Sequence, residues 1–274
     1  MPGIPASRYY GIFTHFLTSL RPFGSSWAPL QAVSVGNRVL LGCRLGDNVC
    51  MSELGQSISS SLWARVLGDE ERVQVVTEMT CRTIPSGGFL CRKGEPVEYW
   101  IGVLEGLAKM SSVSSEGRMA SFTGIPPGAW FGEGSVLRGG DWRFDAVALR
   151  ETRVALMPKA TFCRLLDSSI AFNRFVLNQL NERLAQFIAL LESERLLEPD
   201  ARVARCLAWL FNSHLYPGVS QRLSISQEEI GYLSGVSRQR VNQALQVLEK
   251  AALLRIEYGG ITVLDLQGLR AFGA

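Results

Sequence analysis

The chain has 274 residues, 47% of them hydrophobic and 19% charged, with a formal net charge of +3. This excludes global disorder and supplies core material for one or two domains. So weak a basic balance neither requires nor excludes a nucleic-acid partner, because a binding footprint depends on clustered charge.

The six cysteines are Cys43, Cys50, Cys81, Cys91, Cys163 and Cys206, and the only histidines are His15 and His214. No pair has C-x-x-C spacing, which speaks against a zinc site or four-cysteine cluster and predicts no metal. Isolated reduced thiols suit a cytoplasmic protein. No apolar run reaches 18 residues, so no membrane span is predicted. Leu40-Leu41-Gly42-Cys43 superficially matches a lipoprotein cleavage site, but Asn37 and Arg38 occupy the place of its apolar region.

In chain order, residues 1–55 carry neither a helical nor a strand period. They read as a poorly ordered extension or as an upstream misreading of the start, with Met51 as the alternative. Residues 56–171 read as a β domain. Turn signals recur at Pro85-Ser86-Gly87-Gly88, Lys93-Gly94-Glu95-Pro96, Glu105-Gly106, Ser115-Glu116-Gly117, Pro126-Pro127-Gly128 and Gly139-Gly140-Asp141. Short apolar runs lie between them, Tyr99 to Leu104 and Ala146 to Leu149 among them, and the spacing suits a barrel or jelly roll.

Residues 172–197 switch to a helical period. Val176, Leu180, Leu184, Phe187 and Leu191 fall on one face of a helix about 37 Å long. Such a stripe fits a dimer seam, with packing inside the same chain as the alternative. Glu198-Pro199-Asp200 interrupts the pattern, because proline opposes continuing a helix but suits the first position of a new one. A second helix is expected from Ala201 to about Ser213, then a loop at Tyr216-Pro217-Gly218.

Residues 198–274 hold the most specific pattern. Ser226 and Glu229 form a capping box opening a helix to about Leu233, Gly235 supplies the turn, and Ser237 caps a second helix to about Lys250. The second helix keeps Val241, Ala244, Leu245 and Leu248 inside and offers Arg238, Gln239, Arg240, Asn242, Gln243 and Gln246 outside. Arginine pairs bidentately with guanine, and Gln or Asn with adenine, so this face suits a DNA major groove. A hairpin around Gly259-Gly260 follows and completes a winged helix-turn-helix. Residues 201–274 carry eight Lys/Arg against five Asp/Glu. There is no P-loop, no Rossmann fingerprint, no nucleophile–base pair, and no histidine in residues 72–170 for metal chemistry on a jelly roll. The expectation is a regulator rather than an enzyme; a nucleotide-sensing module acting through protein partners would lack such a helix.

Over about residues 72–265 the chain resembles the cyclic-AMP receptor protein and fumarate-nitrate reduction regulator (Crp/Fnr) family. Three stretches carry the resemblance: Ile225 to Leu245 without gaps; Lys93-Gly94-Glu95 with Leu104-Glu105-Gly106; and Gly128 to Glu133. The resemblance implies an α+β chain with an N-terminal cyclic-nucleotide-binding-type β-roll, a long dimerisation helix and a C-terminal winged helix. It further implies a homodimer reading a palindromic operator in double-stranded DNA and contacting RNA polymerase. Base contacts would fall on Arg238, Gln239 and Gln243, with Arg240 on phosphate and Ser237 and Asn242 beside them. Gln239 and Gln243 depart from the Glu and Arg of the cyclic-AMP receptor, so a different half-site is expected.

The family's phosphate cassette is matched by Gly132, Glu133 and Arg143; no cofactor is certain, and a cyclic nucleotide, another small effector and a ligand-free trigger all stay open. Phe144 replaces a serine donor, Asp145 adds a negative charge, and Phe187 and Ile188 replace the Thr and Ser that contact adenine; these four speak against cyclic AMP. Cys43 and Cys50 are spaced poorly for the family's iron–sulfur sensors, and His214 is misplaced for haem.

Overall fold

The computed structural model describes Gly55, Ile58, residues 61–114, Glu116 and residues 119–273. The extension expected over residues 1–55 lies, Gly55 apart, outside the described residues. After a short helix α1 (Asp69–Glu78), eight strands follow: β1 (Thr80–Ile84), β2 (Phe89–Cys91), β3 (Tyr99–Glu105), β4 (Ala108–Val113), β5 (Met119–Ile125), β6 (Trp130–Phe131), β7 (Asp145–Ala148) and β8 (Thr152–Pro158). Helix α2 (Glu133–Arg138) interrupts them between β6 and β7. They form two antiparallel sheets in the orders β1-β8-β3-β6 and β2-β7-β4-β5, the expected roll. Strand β7 shows why alternating residues make a sheet face: Ala146 and Ala148 point inward while their neighbours are half-exposed.

The roll is filled with aromatic rings. Trp100 lies 4.6 Å from Trp130, 5.7 Å from Trp63 and 5.2 Å from Phe162, centroid to centroid. Phe162 belongs to α3 (Lys159–Ser168), and Phe172, 5.4 Å from it, to α4 (Ile170–Leu196). The core therefore anchors the first turns of the long helix, with roughly 1.5–3 kcal/mol per buried ring of this kind. Ser169 caps α4 by accepting the Phe172 amide.

After the break at Glu198, α5 (Pro199–Trp209) begins with proline in its first turn. It stops before the expected Ser213, because the Asn212 side-chain oxygen accepts the amides of His214 and Leu215 and turns the chain. Then come β9 (Arg222–Leu223), α6 (Gln227–Ser234), α7 (Arg238–Lys250), the hairpin β10 (Leu254–Glu257) and β11 (Gly260–Val263), and α8 (Leu266–Ala271). The hairpin turns on Tyr258-Gly259 rather than Gly259-Gly260, since Gly260 is already paired with Glu257. Strand β9 adds to β11, completing a three-stranded wing. This part has its own core, in which Val203 and Leu207 of α5 meet Ile230, Leu233, Val241, Leu245 and Ile261. Among the described residues no helix is long and apolar enough to cross a membrane.

Candidate functional site

Helices α6 and α7 make the first candidate site. The Ser226 hydroxyl accepts the Glu229 amide while the Glu229 carboxylate accepts the Ser226 amide, a closed capping box. Gly235 sits at φ 64°, a left-handed conformation that glycine adopts without the penalty of a Cβ. Ser237 caps α7 by accepting the Arg240 amide. Val241, Ala244, Leu245 and Leu248 are buried, so the opposite face must point outward. On it Ser237, Arg238, Gln239, Gln243 and Gln246 are exposed.

Two expected members of that face are engaged elsewhere. Arg240 is half-buried, ion-paired at 3.0 Å with Asp200 of α5, and donates at 3.0 Å to the Gln243 side-chain oxygen. In the absence of DNA this guanidinium ties α7 to α5. Asn242 accepts from the Gln227 side-chain amide at 3.1 Å and is also half-buried, which turns it toward α6.

The second candidate site is a cavity of about 440 Å³ in the roll. Gly132, Glu133 and Arg143 line it, and Met110, Phe122, Phe144, Leu180 and Phe187 supply apolar walls. Gly132 caps α2 at φ 96°, and a Cβ there would come within 2.5 Å of the Trp142 ring. Arg143 is exposed at the rim and has no ion pair or hydrogen bond among the described residues. Phe144 and Phe187 do face the cavity, but Asp145 and Ile188 do not line it. Asp145 accepts the Lys93 amide at 2.8 Å, and Ile188 is 52% exposed on α4.

Glu133 is almost wholly buried. Its Oε1 lies 3.4 Å from Nε of Arg183, and its Oε2 is buried without a hydrogen-bond partner. Burial by itself would push the Arg183 pKa down, but the neighbouring Glu133 and Tyr216 more than offset this and raise it. Arg183 was invisible to the apolar period of the helix. The polar residues Gln179, Arg183 and Gln186, stepping by four and three along one face, are the signal that marks it.

The long helix corrects the expected stripe. Val176 is 2% exposed inside its own chain, and Leu180 and Phe187 pack partly against the roll. Leu184 and Leu191 are 59% and 50% exposed, and they continue a row with Leu177 at 64% and Ile170 at 73%. These four recur every seven residues, with Ile188 beside them, so the open apolar row is centred one residue later than Val176.

Other groups offer less chemistry. Burial pushes the thiols of Cys91 and Cys206 up to about 12, which disfavours the reactive thiolate. Among the described residues no group of three or more His, Cys, Asp or Glu gathers as a metal site. A contact between the roll and the helix-turn-helix also escaped local pattern: Arg150 of the β7–β8 turn donates to both Glu229 oxygens, at 2.9 and 2.6 Å, and to the Ser224 carbonyl.

Comparison with known proteins finds two family matches in this chain. The cyclic nucleotide-binding domain family matches residues 81–169, and the Crp-like helix-turn-helix domain family matches residues 201–272. The chain is 29% identical over 182 residues to the transcriptional regulator LdrP of Thermus thermophilus, covering 65% of this chain and 88% of that one. It is 25% identical over 188 residues to the CRP-like cAMP-activated global transcriptional regulator of Mycobacterium tuberculosis, covering 68% and 84%. The solved structure of FixK2 from Bradyrhizobium japonicum shares the fold, with a TM-score of 0.60 at 21% identity over 72% of this chain and 98% of that one.

Proposed function

Because this chain belongs to the Crp/Fnr family of transcription regulators, we propose that it reads a two-fold symmetric operator in duplex DNA as a homodimer. Two chains associate along Ile170, Leu177, Leu184, Ile188 and Leu191, with Leu180 and Phe187 at the edge of the seam. Each presents α7 to one of two successive major grooves, about 34–36 Å apart. Arg238 pairs with guanine, Gln239 and Gln243 favour adenine, and the Ser237 end of α7 meets phosphate. A small effector in the roll cavity adjusts this arrangement about the hinge at Glu198-Pro199, and the bound dimer recruits RNA polymerase.

The observation that carries the reading is the solvent-facing row Arg238, Gln239 and Gln243 on a helix capped at its start and buried along its back. The effector is a small molecule with a hydrogen-bond donor for Glu133 Oε2 and an anionic group for Arg143. Cyclic AMP fits poorly, since Phe144 and Phe187 stand where donors would be needed.

In-vitro selection of random duplexes by the purified full-length protein tests the proposal. The expected result is a two-fold symmetric motif that loses its preference at one base pair per half-site in Arg238→Ala, a discrimination of about 1–3 kcal/mol. Selection that enriches no motif, with or without added cyclic nucleotides, would overturn it.

A further inference from the structure

The loop between α5 and β9 belongs to the winged-helix part of the sequence, yet it ends inside the roll. Leu215 and Tyr216 are 2% and 1% exposed and join the aromatic core there. The Tyr216 hydroxyl reaches a closed polar group. Gln186 Nε2 donates to it at 2.9 Å, Arg183 Nη1 donates at 3.4 Å, and Thr123 Oγ1 lies 3.4 Å away.

Arg183 has two further engagements. Its Nη2 donates to the Trp130 carbonyl at 2.9 Å, and its Nε faces Glu133 Oε1. One buried guanidinium thus touches the cavity carboxylate, the roll backbone and the phenol that seats the winged helix. The other carboxylate oxygen, Oε2, is buried and unpartnered.

We infer that Tyr216 is the positioning residue through which the roll cavity controls the seating of the winged helix. This rests on reading the cavity as the effector site. A ligand donor that satisfies Oε2 redistributes the carboxylate's hold on Arg183. The guanidinium is planar and rigid, so displacement at Nε is transmitted to Nη1 at Tyr216. Linkage makes the effect reciprocal: whatever draws the winged helix away changes the affinity of the cavity. Arg150 with Glu229 is a second fastening between the same parts, but no cavity residue touches it.

Amide hydrogen exchange over residues 212–219, measured on the full-length protein without DNA or ligand, tests the link. Tyr216→Phe, Glu133→Gln and Arg150→Met should each speed exchange about fivefold, the size expected for losing one buried hydrogen bond. Tyr216→Phe with Glu133→Gln should be no faster than Tyr216→Phe alone, because one route has been cut twice. Arg150→Met with Glu133→Gln should multiply, because the routes are separate. Multiplication in the Tyr216 pair overturns the inference, as does a Glu133 variant that leaves the loop unchanged. If Glu133→Gln does not fold, Glu133→Asp, which keeps the charge and shortens its reach, takes its place in the same cycle. A failed duplex selection would count against the DNA reading and leave this cycle untouched. A cavity that takes up no small molecule in calorimetric screening would overturn the effector reading and, with it, control of the winged helix from the cavity, whatever the exchange cycle shows.

Discussion

The long helix α4 and the second helix of the helix-turn-helix, α7, are built to opposite rules. In α7 the apolar residues Val241, Ala244, Leu245 and Leu248 are inside, and arginine and glutamine are outside. In α4 beyond Val176 the buried residues are Gln179, Arg183, Gln186 and Ser193, while Leu177, Leu184, Ile188 and Leu191 face outward. One helix has satisfied its apolar face within its own chain and has a polar face left to use. The other has spent its polar face on its own chain and has an apolar face left over. An exposed row of large apolar side chains marks an interaction surface, whereas exposed arginine and glutamine do not by themselves. An apolar face left in water is costly, whereas a polar face such as that of α7 is well solvated.

The sharpest way to break the comparison is to make the outer face of α4 polar. Leu184→Glu with Leu191→Glu should convert the protein from dimer to folded single chains by sedimentation velocity. A double variant that still sediments as a dimer would place the seam elsewhere. The reverse experiment falls on α7. Leu245→Ala removes a fully buried side chain and should lower stability by about 2–5 kcal/mol in chemical denaturation without changing the association state.

A smaller effect tests the framing of α7 rather than its core. Ser226→Ala opens the capping box and should cost about 1 kcal/mol, read as a lower melting temperature of the winged-helix part. The smallest effect lies outside both helices and serves as a baseline. Glu78 accepts from Thr161 at 2.6 Å and pairs with Arg164 at 2.9 Å, and these contacts, the Thr161 bond foremost, hold its carboxyl below the usual glutamate range against the effect of burial. A depressed folded pKa stabilises above the unfolded value and ceases to do so as pH falls through the folded one. Wild type should therefore exceed Glu78→Gln in stability at neutral pH, and the gap should close on acidification below the ordinary glutamate range. A gap that widens in acid would contradict the assignment.

The sequence by itself determined the local framework. The capping box, the Gly235 turn, the Ser237 cap and the proline opening α5 are all rules acting over three or four residues, so they are written in adjacent letters. The turn signals of the roll and the apolar back of α7 are legible for the same reason. Tertiary structure alone decided which face of α4 lies inward, because aromatic packing of Phe172 and Phe175 fixes the helix rotation and draws Val176 in with them. It also decided that Asp145 serves the Lys93 turn, that Arg240 is shared with Asp200, and that Arg183 meets both Glu133 and Tyr216. Those partners lie tens of residues apart, and no local period encodes a contact whose energy depends on where two separate elements cross.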